Sequence, residues 1–177
     1  VVDELAAIAN DTVIGDGLEQ GTKLGPLQNK MQYEKVKELI ESARRDGNIV
    51  AGGEVPDQSG YFIRPTIVRD VTEGSRIVDE EQFGPVLPVI RFSDESDAIA
   101  RANNSNYGLG GSVWSSDLER AYDVANQMNT GTVWINKHAE LDPGIPFGGS
   151  KQSGLGNELG MEGLKEFTQL KMINMAR

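Results

Sequence analysis

The sequence contains no cysteine and only one histidine, His138. Without cysteine there is no disulfide framework, no thiolate metal ligand and no cysteine nucleophile on this chain. One histidine leaves no His cluster for zinc. A Ser-His-Asp triad would have to use His138, and no Gly-x-Ser-x-Gly elbow accompanies it, so hydrolase chemistry is not expected. Long apolar runs are also missing. No stretch approaches the ~18 residues of a spanning helix, so no membrane partner is expected. No basic, apolar, small-residue leader is visible, and a cytoplasmic location is expected. Positive charge is scarce: Lys and Arg number 17 against 27 Asp and Glu, for a net charge of −10. Such a surface repels phosphate backbones, so no nucleic-acid partner is expected.

What remains is ordinary globular material. The 177 residues are 38% hydrophobic and 25% charged, about one domain with enough apolar content for a core. The first residues, Val1-Val2-Asp3-Glu4-Leu5, lack a Met and an N-cap residue and look like the inside of a helix. The chain is therefore expected to be cut from something longer.

Periodicity gives the elements. Val1, Leu5, Ile8 and Ala9 stand at helical spacing, and Gly15, Gly17, Gly21 and Gly25-Pro26 mark a long loop. A second helix is expected from Asn29, with Gln32 completing a capping-box variant and Tyr33, Val36, Leu39, Ile40 and Ala43 as its apolar stripe. Glu41 with Arg45 is an expected i,i+4 pair, and Gly47 an expected stop. Ile49 to Ala51 reads as a strand; Tyr61 to Val68 is extended, with Pro65 placing it at an edge or in a loop. Val86 to Phe92 is an apolar, β-rich run, followed by an acidic helix start at Ser93–Asp97 that Asn103–Asn106 ends. Ser112 to Trp114 is a strand, Ser116 with Glu119 a capping box, and Leu118, Ala121, Tyr122, Ala125 and Met128 an amphipathic stripe closed by Gly131. Thr132 to Asn136 is the next strand. Glu158 to Phe167 reads as a last helix and Gln169 to Met175 as a last strand. The central run predicts an α/β fold with a mostly parallel βαβαβ sheet flanked by helices. Ligands of such sheets lie beyond the carboxyl ends of the strands, where the glycine-rich stretch begins. There are no repeats, no low-complexity tract and no interdomain linker.

Two segments carry candidate chemistry. In Glu80-Glu81-Gln82-Phe83-Gly84-Pro85-Val86, Gly-Pro fixes a turn before a buried strand. A carboxylate held there can accept hydrogen bonds from both hydroxyls of a ribose, and a neighbouring ring can pack on a flat heterocycle. A solvated acidic pair and a core Phe at a strand entry would look the same. The second segment is Pro146-Phe147-Gly148-Gly149-Ser150-Lys151-Gln152-Ser153-Gly154-Leu155-Gly156. Glycine lets backbone approach a ligand closely, yet the spacing fits neither a Walker A loop nor a dinucleotide fingerprint. A tight, ordered connection before the last helix explains it equally.

Together the segments are more specific. Glu80–Val86, Asn103 or Asn104 through Tyr107-Gly108-Leu109, Gly131-Thr132-Val133-Trp134-Ile135-Asn136 and Pro146–Gly154 occur in this order. The chain resembles, over essentially its whole length, the C-terminal part of the catalytic domain of NAD(P)-dependent aldehyde dehydrogenases. The resemblance implies an incomplete catalytic domain of that type over residues 1–168, and a protruding C-terminal oligomerisation strand over 169–177. It implies a homo-oligomeric parent enzyme that oxidises an aldehyde to a carboxylic acid through a cysteine thioester, with NAD or NADP as hydride acceptor. The cysteine, the general base and the Rossmann-like cofactor domain would lie upstream. This segment would then be inactive alone, with no catalytic residue of its own and weak or no cofactor binding. By the same resemblance Glu81 matches the nicotinamide-ribose carboxylate and Phe83 the aromatic beside the nicotinamide. Phe147 matches a substrate-tunnel aromatic. Asn136 matches an Asn that shapes the loop at the site, and could instead satisfy backbone groups at a strand end. His138 and Leu141 fall in the loop lining the substrate entrance; a lone His can also be structural. No metal site is implied. Gln82 stands where Ile or Leu is more usual, and Asn157 where Arg is usual. Lys137 to Glu140 identify no substrate subclass. A cysteine-free relative serving as a scaffold or oligomerisation module is the alternative.

Overall fold

In the computed structural model, residues 1–176 are described. The chain divides into two compact units, Val1–Arg91 and the part from Phe92 onward. No linker composition announces the boundary, which falls inside the single 1–168 body expected from the sequence.

The first unit holds α1 (Val2–Asp11), α2 (Lys30–Asp46), β1 (Asn48–Ala51), β2 (Thr66–Arg69), α3 (Arg76–Asp79) and β3 (Val86–Val89). Helix α2 starts as its sequence requires: the Asn29 side chain accepts the Gln32 N–H at 2.8 Å, a cap that contributes about 1 kcal/mol. Its apolar stripe, Val36, Leu39, Ile40 and Ala43, is buried with Ile63, Val68, Val71, Ile77 and Val86. Each large side chain fully buried there contributes about 1.5–3 kcal/mol. Gly47 ends the helix at φ −155°, an extended angle open to any residue. Its glycine answers to space, because a Cβ there would run into Val71 and the Arg69 carbonyl. The pair expected between Glu41 and Arg45 is redirected. Arg44 takes the Glu41 carboxylate at 3.2 Å, and Arg45 donates to the Glu41 carbonyl at 3.1 Å.

The sheet order is β1-β2-β3, with β1 antiparallel and β3 parallel to β2. Strand β2 is central, not an edge. Pro65 precedes its first residue and so costs no ladder donor, whereas Pro88 lies within edge strand β3. The crossover from β2 to β3 runs through α3, a short helix the sequence did not announce.

The second unit holds α4 (Glu95–Asn103), β4 (Tyr107–Gly108), β5 (Gly110–Val113), α5 (Leu118–Gln127), β6 (Thr132–Ile135), β7 (Ser150–Lys151) and α6 (Gly160–Glu166). Strands β5 and β6 pair in parallel around α5, a βαβ unit. The expected single βαβαβ sheet is therefore divided. Its first strand, β3, belongs to the sheet of β2, and β5 with β6 form a two-stranded sheet. The cap of α5 is Asp117, which accepts the Arg120 N–H at 3.1 Å, and not Ser116. A carboxylate suits the positive helix end better than a hydroxyl. Of its stripe only Ala121 is buried; Leu118 and Tyr122 are exposed. Helix α6 begins at Gly160, two residues later than expected, because Glu158 is used in a bridge to Phe147 with N–H···O distances of 2.7 and 2.8 Å.

The strand expected over 169–175 does not form. Among the described residues 169–176 are unpaired, and Leu170 is 90% exposed. A strand exists only against a ladder partner, and the described residues offer none there. Arg177 lies outside the described residues.

Candidate functional site

The expected site residues fall into two sets, one in each unit. In the first unit, the end of α3 and the turn into β3 present Glu80 to Gly84. The two adjacent acids have different fates. Arg76 donates to both carboxylate oxygens of Glu80, at 2.6 and 3.2 Å. That hydrogen-bonded guanidinium, and secondarily the charges of Arg76 and Lys35, hold Glu80 below its ordinary value of 4.5. The resulting small stabilisation is present above that value and is lost as pH falls through the lowered one. The Glu81 carboxylate has no hydrogen bond or ion pair among the described residues. Its backbone carbonyl is held by Lys35 Nζ at 2.8 Å. The next carbonyl, of Gln82, accepts from Gln32 Nε2 at 2.6 Å, and Gln82 Nε2 in turn donates to the Ile77 carbonyl at 2.6 Å.

Phe83 follows at φ +46°, a conformation uncommon for a bulky residue, and its ring is 69% exposed rather than buried in the core. Gly84 lies where a Cβ would strike Val36 of α2, which explains that glycine by close approach. The outcome is an unpaired carboxylate and an exposed aromatic ring on a tethered turn. That acceptor-and-ring set suits a ribose diol and a flat heterocycle.

In the second unit, Asn136 closes β6 at φ +55°. Its Oδ1 accepts the Ser115 N–H at 2.9 Å and its Nδ2 donates to the Ser115 carbonyl at 2.8 Å. Both polar ends are thus engaged with backbone, the second of the two roles the sequence left open. Beyond it, His138 Nδ1 lies 2.5 Å from Ser112 Oγ, and its ring meets Trp134 edge-on at 5.6 Å. Trp134 Nε1 donates to the Glu140 carbonyl at 2.9 Å. Phe147 stands 6.5 Å from the same indole. Trp134, buried on β6, therefore brings His138 and Phe147 into one aromatic group. Leu141 is exposed in the same loop.

Ser112 and Trp134 were not singled out from the sequence. Only the parallel register Ser112↔Trp134 reveals them, and no local pattern encodes it. Of Asn103 and Asn104, Asn103 is the one tied into the fold by its side chain. Asn103 donates to the Gln127 carbonyl and accepts the Asn129 N–H, each at 2.7 Å, and its own carbonyl accepts from Lys151 Nζ at 2.9 Å. It ties α4 and β7 to the turn after α5. The glycine-rich stretch contributes strand β7, which pairs antiparallel with Tyr107-Gly108, so it is an ordered connection that closes on the Tyr-Gly-Leu motif. No group of three metal-ligating side chains occurs among the described residues. No helix among them is long and apolar enough to cross a membrane.

Comparison with known proteins places the chain as a whole. The sequence model of the aldehyde dehydrogenase family matches residues 1–173. A betaine aldehyde dehydrogenase of Rhizobium leguminosarum bv. trifolii is 43% identical over 96% of this chain and 36% of its own length. A succinate-semialdehyde dehydrogenase [NADP(+)] of Deinococcus radiodurans is 43% identical over 97% of this chain and 36% of its own length. The structure of the NAD+ complex of aldehyde dehydrogenase from Bacillus cereus superposes with a TM-score of 0.93 at 44% identity, covering 96% of this chain and 35% of that one. The chain spans about a third of the length of these relatives, and it belongs to the aldehyde dehydrogenase family.

Proposed function

We propose that the protein carrying this chain oxidises an aldehyde to the carboxylic acid, and that these residues serve the nicotinamide and substrate sides of its site. The observation that carries the cofactor side is the contrast between Glu80, committed to Arg76, and Glu81, whose carboxylate is left without a partner beside an exposed Phe83. Glu81 accepts hydrogen bonds from the hydroxyls of the nicotinamide ribose, and Phe83 packs on the nicotinamide face. The dinucleotide supplies the hydride acceptor. Relatives named for NADP and solved with NAD+ leave either cofactor open to this protein.

On the substrate side Phe147, His138 and Leu141 line the aldehyde's approach, and Asn136 holds that loop. An apolar, aromatic lining excludes water from the reacting carbonyl. The nucleophilic cysteine belongs to sequence outside these residues, since this chain has no cysteine, and the family resemblance puts the general base there as well. No residue here is assigned a catalytic role, and the chain alone binds cofactor weakly or not at all. The protein acts in the cytoplasm and assembles as a homo-oligomer through residues 169–177. It has no nucleic-acid or membrane partner.

Absorbance of reduced cofactor tests the reaction. With short aliphatic and aromatic aldehydes and either cofactor, the complete polypeptide is expected to turn over and the isolated chain to remain at the buffer rate. Turnover that tracks with the isolated chain would refute this division of labour. A complete polypeptide inert with every aldehyde and both cofactors would refute the reaction class.

A further inference from the structure

We infer that Gln82, the residue between the two cofactor-side candidates, is a positioning residue that locks Glu81 and Phe83 into place. The inference rests on the assignment of Glu81 and Phe83 to the cofactor side. Its evidence is the double tether of residue 82. Helix α3 is a single turn, and the backbone leaves the helical path at Glu80, with φ −95° and ψ 139°. The Glu80 N–H closes the last helical bond to the Arg76 carbonyl at 2.9 Å. The Ile77 carbonyl would take its bond from the N–H of residue 81 if the helix continued; at a helix end such carbonyls need another donor. The Gln82 amide supplies it at 2.6 Å. Ile77 is fully buried, so this bond anchors residue 82 to the core. From the other side Gln32 of α2, released from a capping-box role, holds the Gln82 carbonyl at 2.6 Å.

One residue is thus fixed at its side chain by α3 and at its backbone by α2. Its two neighbours are exposed, and neither Glu81's carboxylate nor Phe83's ring is gripped directly. Residue 82 fixes the backbone between them, and the only other tether on the pair among the described residues is Lys35 Nζ on the Glu81 carbonyl at 2.8 Å. A group placed before its ligand arrives loses less freedom on binding, and small errors in placement slow the transfer step. Leu or Ile at this position would fill the same space and offer no donor to the Ile77 carbonyl.

The test uses the complete polypeptide with Gln82→Met, which keeps length and removes the donor, and with Gln82→Leu as a second shape. Cofactor KM, single-turnover reduction and amide exchange over residues 80–84 are measured beside Glu81→Gln. Both Gln82 variants are expected to exchange faster over 80–84 and to raise cofactor KM or slow reduction about three- to tenfold, the effect of one lost hydrogen bond. A purely structural Gln82 would lower the melting temperature and leave the kinetics at the parental values, which overturns the inference. If Glu81→Gln impairs reduction and neither Gln82 variant does, the inference fails and the cofactor-side assignment stands. If Glu81→Gln has no effect, the assignment itself fails and takes the inference with it.

Discussion

Asn136 offers Ser115 what one peptide group offers another across a ladder: a carbonyl acceptor and an N–H donor. It does so from φ +55°, a conformation that Asn tolerates better than other non-glycine residues. The side chain therefore extends the β5–β6 pairing by one rung and turns the chain into the loop bearing His138 and Leu141. Asn136→Ala removes both bonds and leaves alanine at positive φ. Because the site is exposed, water recovers part of the loss, and a destabilisation of about 1 kcal/mol is expected. Urea unfolding measures it, and amide exchange over 137–141 should quicken. Unchanged stability together with unchanged exchange in that loop would show that the clamp has no effect. The sequence could mark Asn136 as important but could not choose between its two roles, since Ser115 reaches it only through the strand register. Local pattern alone gave no ground to tell Glu80 from Glu81; only the family resemblance singled out Glu81. Arg76 separates them, on a helix too short to leave a periodic signal.

Elements with a strong local code were legible. Helix α2 carries its cap at Asn29, its stripe and a stop at Gly47, and all three hold. Elements whose existence depends on a distant partner were not. Strands β4 and β7 are two residues each and exist because Tyr107-Gly108 meets Ser150-Lys151. The cap of α5 shifted by one residue because two acceptors, Ser116 and Asp117, were adjacent and the charged one prevailed. The segment 169–175 carries strand composition and finds no partner among the described residues. Leu170, Met172, Ile173 and Met175 are all exposed. Unpaired backbone with apolar side chains is a template for another chain. The intact chain is expected to self-associate, and a chain ending at Thr168 to do so less. Light scattering of the two distinguishes them; a monomeric intact chain, or an oligomer unaffected by the deletion, would remove the final segment as the cause.

At the scale of the molecule, composition and motif order pointed to class and family, and the match over residues 1–173 agrees. The division at Arg91/Phe92 and the two separate parallel pairings were not legible. Alternating strand and helix patterns show that βαβ units exist, and do not say which strands share a sheet. Cofactor-side and substrate-side candidates belong to different units, so the central claim is tested most cleanly on the cofactor side alone. Single-turnover cofactor reduction by the complete polypeptide, compared between Glu81→Gln and Glu80→Gln, separates two neighbouring carboxylates of equal charge. Glu81→Gln is expected to slow reduction by a factor of roughly ten to a hundred, from the loss of a charge-assisted contact, at an unchanged melting temperature. Glu80→Gln is expected to reduce cofactor at the parental rate. Parental reduction by Glu81→Gln would contradict the assignment and leave the pair a solvated acidic surface.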